Sequence, residues 1–366
     1  MLFNGKVTHM DFDILVIGDH NPAPGKDTYD DTQAERHRLW IDIGVLGDEL
    51  GFRAIALGEH HTSEYILSSP AVILAAIAVL TKNIRLTTGV TLIPNLDPVR
   101  VAEDWATLDQ ISNGRAEIGV GSGIVESVFK LFGQDPALRN EVSAENLALL
   151  EVLWTQTRLD WEGKYRSPIH DIGLQPRTFS GKALPISRGT GTISTAEEIG
   201  RAGHQLIMPT QVGGIERFRE VNKAYRSAYR GAGHAGEGMS TGAVAYVYCA
   251  PDGAQAREYW GQFGDNYTEM SRREFTRHEM NPNIKKLVAD LTSRRMVDLD
   301  GAFVGSPDEI VEKILRWNDQ VDGIDRLNCM FDIGGLPREE TLASIRLFAK
   351  EVIPAVRSKL KISEAA

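Results

Sequence analysis

Glu59-His60-His61 follows a short apolar run, Ile55–Leu57, across a single glycine, Gly58. Neighbouring residues at a strand end point in different directions, so His60 and His61 do not form the HxH grip that holds one metal. One can face a pocket while the other packs, and an imidazole at a pocket edge titrates near neutral pH and suits proton transfer. Three glycine-marked stretches offer a second kind of chemistry. Gly119-Val120-Gly121-Ser122-Gly123 is not GxGxxG, because the sixth position is Ile124. It is either a plain turn or bare backbone that a flat ring can approach. Arg188-Gly189-Thr190-Gly191-Thr192, followed by Ile193, Ser194 and Thr195, places hydroxyls and a cation before a helix, where free N–H groups favour a phosphate. Ordinary N-capping by Thr192 or Ser194 is compatible with that use. Thr88-Gly89-Val90-Thr91 puts a glycine inside a strand, which weakens the strand unless something needs the space. Asp19, His20, Asn21, Ser63, Glu64 and Tyr65 stand in loops near these groups and are candidates for substrate contact. Asp19 and Glu64 would suit a polar or basic group on the substrate.

These residues need a frame, and the hydrophobic pattern supplies one. Asp13–Ile17, Ile55–Leu57, Ile84–Leu92, Ala116–Val120, Leu184–Ser187, Gln205–Met208, Ala243–Cys249 and Arg326–Phe331 read as strands. Helical spacing fills the intervals, as in Gln33–Leu50, where Leu39, Ile43, Leu46 and Leu50 share a face before Gly51. The other helices are Ala71–Leu80, Val99–Ile111 (closed by Asn113-Gly114), Glu145–Trp154, Thr195–Ala202, Ile215–Tyr229, Pro307–Asn318 and Arg338–Ile353. Strict alternation implies a parallel sheet, and eight units point to an α/β fold of the (β/α)8 TIM-barrel type spanning residues 1–366 as one domain. An open doubly wound sheet is the other arrangement of such a pattern. Two insertions break the rhythm. One, about 159–181, follows the fourth helix and suggests a hairpin. The other, 260–301, lies near the seventh helix and is polar and charged. It reads as a solvated outer helix or as a lid over the barrel mouth. In a barrel the chemistry sits at the C-terminal strand ends, which is where every stretch above falls.

Composition narrows the partners. The 366 residues carry 40 Lys plus Arg against 50 Asp plus Glu, a formal charge of -10, which disfavours nucleic acid and anionic membranes. The longest apolar run, Ala71–Leu80, is too short to span a bilayer. It is apolar almost all round, as a deeply buried or subunit-facing helix would be. The N-terminus lacks the apolar stretch of a signal peptide, and Cys249 and Cys329 form no CxxC unit, so a reducing cytoplasmic setting is expected.

Longer blocks resemble one family. LGDELGFRAIALGEHH, then SSPAVILAAIAVLTKNIRLTTGVTLIPNLDPVRVAEDWATLDQISNGRAEIGVGSG, and near the C-terminus GSPDEIVEKI and GGLPREETLASIRLFAKEVIPAV, are similar in order to the bacterial luciferase-like monooxygenases. The resemblance implies a barrel that binds reduced FMN at the strand ends. There the flavin reacts with dioxygen to a C4a-(hydro)peroxide that oxygenates a small organic substrate. A separate NAD(P)H:flavin reductase usually supplies the reduced flavin. It places His60 as the catalytic histidine, with Glu59 and His61 completing the triplet. Gly89 and Val90, after Thr88, fall where the family often has a non-prolyl cis peptide under the flavin. Gly191, Thr192 and Thr195 match the phosphate turn, with Ser194 and Arg188 beside it. It also implies a homodimer through Ala71–Thr81 and Val99–Ile111.

The chain departs from luciferase itself. Ser122 stands where luciferase has a phosphate-contacting arginine and Gly121 where it has a reactive cysteine, which argues against light emission from a long-chain aldehyde. Arg188 or Arg139 are candidates for the missing charge. Three other functions fit the same residues less well. One is a hydride-transferring oxidoreductase that uses the deazaflavin coenzyme F420. Another is a flavin-binding protein without turnover. The third is a metal-dependent hydrolase built on His20, His60 and Asp332, which lacks an HxH pair; no resident metal is expected.

Overall fold

The computed structural model describes residues 9–61, 64–212, 215–277 and 289–365, with the short stretches 2–3, 6–7 and 285–286. Ser63 and residues 278–284, 287 and 288 of the second insertion lie outside the described residues. The barrel strands are β1 (Asp11–Val16), β2 (Ala54–Leu57), β3 (Arg85–Thr88), β4 (Ile118–Gly121), β5 (Ile186–Gly189), β6 (Gln205–Met208), β7 (Thr241–Cys249), β8 (Ala302–Gly305) and β9 (Arg326–Met330). Side by side they run β3-β2-β1-β9-β7-β6-β5-β4, all parallel. The ring nearly closes on itself: Leu86 bridges to Ala116, and Thr91 and Leu92 pair with Val120 and Gly121. The eight-stranded ring expected from the alternation is therefore present, with β8 off it, alongside the end of β7 from Tyr246 to Cys249. Four residues at the tail of a charged insertion carry no period of their own, which is why β8 is invisible in the sequence pattern. The stretch Ile84–Leu92 is not one strand either. It stops at Thr88, the Gly89–Val90 peptide is cis, and a two-residue strand resumes at Thr91.

The longer helices among the described residues include α1 (Gln33–Glu49), α2 (Pro70–Leu80), α3 (Pro98–Ser112), α4 (Arg139–Thr155), α5 (Ile193–Arg201), α6 (Ile215–Gly231), α7 (Gly253–Arg277), α8 (Pro307–Gln320) and α9 (Arg338–Leu347). Their ends have local causes. Thr32 and Glu35 form a capping box on α1, and Ser306 and Glu309 form another on α8. Asp97 accepts from Val99 N at 2.8 Å to start α3, and Asn113 and Gly114 end it in the left-handed region at φ 57° and 83°. The first insertion holds the anticipated hairpin, Leu159–Trp161 against Ile169–Ile172. No helix of the described residues is long and apolar enough to cross a membrane.

Because side chains alternate across a strand, each β-strand feeds two cores. Phe12, Ile14, Val16, Ile55, Leu57, Ile118 and Val120 turn outward onto the helices. Leu15, Ala56, Val244, Tyr246, Tyr248 and Met330 belong to a second cluster, within the ring. Helix α7 seals that second cluster. Trp260, Phe263, Tyr267 and Met270 recur at intervals of three and four, and all are buried in it. Asn266 Nδ2 fixes the helix across the mouth by donating to Pro22 O and Gly334 O, both at 2.8 Å, in the loops after β1 and β9. The first part of the second insertion is thus a mouth-covering helix with one apolar face, which its many charges hide in the sequence.

Candidate active site

Glu59 opens the loop after β2 and is buried. Its Oε1 accepts from His61 Nε2 at 2.8 Å, and its Oε2 accepts from Leu92 N at 3.0 Å. One carboxylate thus ties a histidine to the segment that follows the cis Gly89–Val90 peptide. The outer edge of His61 meets Phe132 at 4.7 Å, nearly perpendicular at 72°. His60 turns the other way and lies flat on Tyr65, with ring centroids 4.3 Å apart. Among the described residues no hydrogen bond reaches its ring. Burial, reinforced by the charge of His61, pushes the His60 pKa down to about 4. At neutral pH it is a neutral imidazole, able to accept or share a proton.

Beside the histidines, β3 and β4 approach closely because glycines permit it. A Cβ on Gly119 would stand 2.0 Å from Thr88 O, one on Gly121 2.5 Å from Val90 Cγ2, and one on Gly89 2.7 Å from Leu15 Cδ1. Thr88 Oγ1 stitches the strands, donating to Gly119 O at 2.8 Å and lying 2.9 Å from Thr91 Oγ1. The backbone of Gly121 is thus covered by Val90 of the same chain on the side a Cβ would take. Ser122 Oγ donates to Ser143 Oγ on α4 at 3.2 Å.

The phosphate-turn candidates gather at the start of α5. Thr192 holds the N-cap position without capping. Its Oγ1 donates to Thr195 Oγ1 at 3.0 Å, and its N–H donates to Thr190 Oγ1 at 3.1 Å. Among the described residues no side chain caps the leading N–H groups of the helix, that of Ser194 among them. Arg188 points elsewhere. In register with Val120 and Leu206 it lies on the outward side of β5, where burial lowers its pKa against the pull of Glu198 and Glu151. Arg139 opens α4. The cation at the turn is Arg217, near the start of α6. Its Nη2 lies 3.6 Å from where a Cβ on Gly191 would stand. It makes no ion pair among the described residues. Sequence reading passed over it because α6 carries so many charges, but its place just after β6, at a mouth-side helix start, was a usable signal.

On the opposite side, Asp19 and Tyr65 pair as an isolated β-bridge, and His20 N donates to Glu64 O at 2.9 Å. The His20 ring turns into its own loop, 3.1 Å from Asp31 Oδ1 and stacked on Tyr29 at 4.3 Å. Asn21 Nδ2 donates to Asp19 Oδ2 at 3.0 Å. Asp332 receives Arg36 Nη2 on both oxygens, at 2.8 and 3.0 Å, and Trp40 Nε1 at 3.0 Å. His20, His60 and Asp332 therefore do not converge. Among the described residues no three His, Cys, Asp or Glu side chains are placed to hold a metal ion.

The nearly closed parallel barrel has counterparts among known proteins. The sequence profile of the luciferase-like monooxygenases matches residues 10–322, and the chain belongs to that family. It is similar to the 4-hydroxyprotoasukamycin monooxygenase of Streptomyces nodosus subsp. asukaensis, at 28% identity over 88% of each chain. Monooxygenase RslO1 from Streptomyces bottropensis superposes with a TM-score of 0.81 at 26% identity, covering 94% of this chain and 99% of its own. The oxygenating constituent of 3,6-diketocamphane monooxygenase from Pseudomonas putida, a type II Baeyer-Villiger monooxygenase solved with FMN, gives 0.78 at 21% identity, covering 94% and 98%. An F420-dependent secondary alcohol dehydrogenase, in complex with an F420-acetone adduct, shares the fold at 0.72 and 15% identity, covering 95% and 99%. Flavin-dependent monooxygenases are thus among the relatives of this chain, and F420-dependent enzymes are among its structural neighbours.

Proposed function

We propose that the protein is an FMNH2-dependent monooxygenase that oxygenates a small organic substrate, fed with reduced flavin by a separate NAD(P)H:flavin reductase. The observation that carries this reading is the pair of hydrogen bonds accepted by Glu59, one on each carboxylate oxygen. It holds His61 and the Gly89–Leu92 segment together beside a neutral His60 at the C-terminal strand ends. The donor set at the start of α5 fits a phosphate monoester: hydroxyls of Thr190, Thr192 and Thr195, free helix N–H groups, and Arg217 beside Gly191. Bound there, reduced FMN would supply the electrons that activate dioxygen. The chain's own part is to seat the ring near Gly89 and Val90, to exclude water with α7, and to offer His60 for proton exchange with the substrate or the oxygenated centre. Helix α7 would act as the lid. His20 and Glu64 would shape the loops around the substrate, and Tyr65 would back His60.

We further read the protein as a cytoplasmic homodimer. On α2, Val72, Val79 and Leu80 are 70%, 71% and 60% exposed although apolar. With Ile111 of α3 they form a face suited to a second copy. Burial pushes the Cys249 thiol up to about 12, which suits an inert cysteine in a reducing compartment.

Anaerobic titration with reduced FMN and with reduced F420, followed by mixing with oxygen, tests the function. Tighter binding of FMN, and a reoxidation rate that His60→Ala changes, is expected. Tighter binding of F420 without oxygen consumption would replace this reading with hydride transfer, and flavin binding with no effect of His60→Ala would remove that residue from the chemistry. Light scattering checks the assembly: a dimeric mass that Val79→Lys converts to monomer is expected, and a wild-type monomer at micromolar concentration contradicts it.

A further inference from the structure

Arg326 opens β9, is 4% exposed and makes no ion pair among the described residues. Its side chain crosses the ring. Nη2 donates to Ser187 Oγ on β5 at 3.5 Å, although β7 and β6 lie between the two strands. Nε is buried without a hydrogen-bond partner. Among the described residues that one long contact is all the guanidinium makes, out of five N–H donors. Ser187 is a weak counterpart: it is neutral, and its Oγ donates onward to Gln205 Oε1 at 3.2 Å. The position beside Arg326 on β7 is Gly242, which brings no side chain. Thr87 is in register with Ala56 of the cluster within the ring, and its buried Oγ1 also has no partner.

The acids around Arg326 are engaged elsewhere. Asp13 takes Arg53 on both oxygens, at 2.8 and 2.5 Å, and Glu117 takes Arg53 at 3.1 Å and Arg85. Asp11, in register with Arg326 on β1, meets His9 at 3.0 Å and Arg357 at 3.6 Å. Asp325, one residue earlier, turns to the other side and accepts from Arg226 Nη2 at 2.7 Å and Thr241 N at 2.8 Å. The inner floor thus sets three arginines, Arg53, Arg85 and Arg326, against the carboxylates of Asp13 and Glu117. An unpaired buried charge is costly, and an arginine does not shed its proton. A counter-charge for Arg326 must come from solution.

We propose that Arg326 anchors a buried anion site on the barrel floor, which takes one small monovalent anion of the class of chloride, bromide or nitrate. A single negative charge matches the surplus, and a spherical halide accepts N–H donors from any direction. A phosphate monoester, dianionic near neutral pH, would overshoot the surplus, so this site and the start of α5 call for different ligands. The floor site lies at the strand starts, at the opposite end of the ring from Glu59-His60-His61. It stands or falls independently of the flavin reading.

Thermal unfolding of the full chain in chloride and in gluconate, at the same ionic strength of about 0.1 M, tests the proposal. Gluconate has the same charge and is too bulky for a strand-lined interior. A Tm about 3 °C higher in chloride, reaching a plateau as chloride replaces gluconate, is expected. Equal Tm values, or a difference that grows without a plateau, overturn the site. The chloride response should vanish in Arg326→Gln and persist in Arg326→Lys, and a full response in Arg326→Gln overturns the assignment. It should also survive in Arg217→Ala. Its loss there would move the anion to the turn before α5 and overturn the floor site. Should Arg326→Gln fail to fold, wild-type crystals soaked in bromide decide: an anomalous peak beside Arg326 Nε supports the site, and water alone there overturns it.

Discussion

At the N-terminal end of the barrel, Asp13 and Glu117 meet Arg53, Arg85 and Arg326. At the mouth, Asp19, Asp31 and Asp332 share Arg36. Asp13, Glu117, Arg326, Asp19, Asp332 and Arg36 are buried and the others are partly exposed, but the charge counts of the two groups are opposite. At the bottom, Arg53 grips Asp13 at 2.5 and 2.8 Å and Glu117 at 3.1 Å, Arg85 also bonds Glu117, and Arg326 adds a third positive charge. Burial works against the Glu117 charge, yet the three arginines outweigh it and its pKa falls below the usual value. At the mouth, acids outnumber the arginine, and Asp19 moves the other way. A surplus of cations holds a carboxylate in its charged form, and a surplus of acids pushes one toward its protonated form. The division follows the barrel rule that stability resides at the strand starts and chemistry at the strand ends.

The largest effect should come from breaking the bottom. Arg53→Met leaves two buried carboxylates short of their main partner, and a loss of about 3–5 kcal/mol is expected in urea unfolding at pH 7. The loss should shrink in acid, where Glu117 takes up a proton. A loss below about 1 kcal/mol would show that the bottom charges do not hold the scaffold together.

The next test sets the two ends against each other by pH. Glu117 has a depressed pKa, so its stabilisation is complete above its ordinary value of 4.5 and is lost as pH falls below it. Glu117→Gln should therefore cost most at neutral pH and flatten the acid side of the stability curve. Asp19 has a raised pKa. Its contribution is intact below 3.8 and is lost as pH rises toward about 7. Asp19→Asn should gain on wild type over that interval and hold a constant difference above it. Parallel curves for the two variants would erase the contrast between the ends.

Much of this arrangement is legible in the sequence, for reasons that also mark where legibility stops. The strands β1, β2, β4, β7 and β9 show as apolar runs because both their faces are almost wholly buried. Glu59-His60-His61 and Gly89-Val90 show because each is local in sequence. What the sequence does not display is pairing across it. The 296-residue separation of Arg36 and Asp332, and the docking of α7 through Trp260, Phe263, Tyr267 and Met270, depend on barrel closure. So does the direction of Arg188. A strand residue's side is fixed by register, and one step of parity turned that arginine toward Glu151 and Glu198. Arg217 was hidden for the complementary reason: a lone cation in a charged helix gains meaning only when Gly191 is beside it.

The smallest expected effect tests whether the acidic surplus is confined to the Asp19 side of the mouth. A flavin phosphate is dianionic near neutral pH and needs positive potential where it binds. If the mouth were acidic throughout, the start of α5 would repel it. In the proposed reading Arg217, beside Gly191, is the side chain that makes the two sides differ, and its exposure limits its strength. Arg217→Ala should weaken FMN binding about tenfold, near 1.4 kcal/mol, at low salt and less at high salt. Riboflavin, which lacks the phosphate, should bind the variant and wild type equally. The ratio of FMN to riboflavin affinity, measured by fluorescence quenching, isolates the phosphate contact from any change in the ring site. Arg188→Ala should leave that ratio alone, because its charge faces Glu198 and Glu151. If Arg188→Ala lowers the ratio and Arg217→Ala does not, the positive side of the mouth lies between α4 and α5 and not at Gly191.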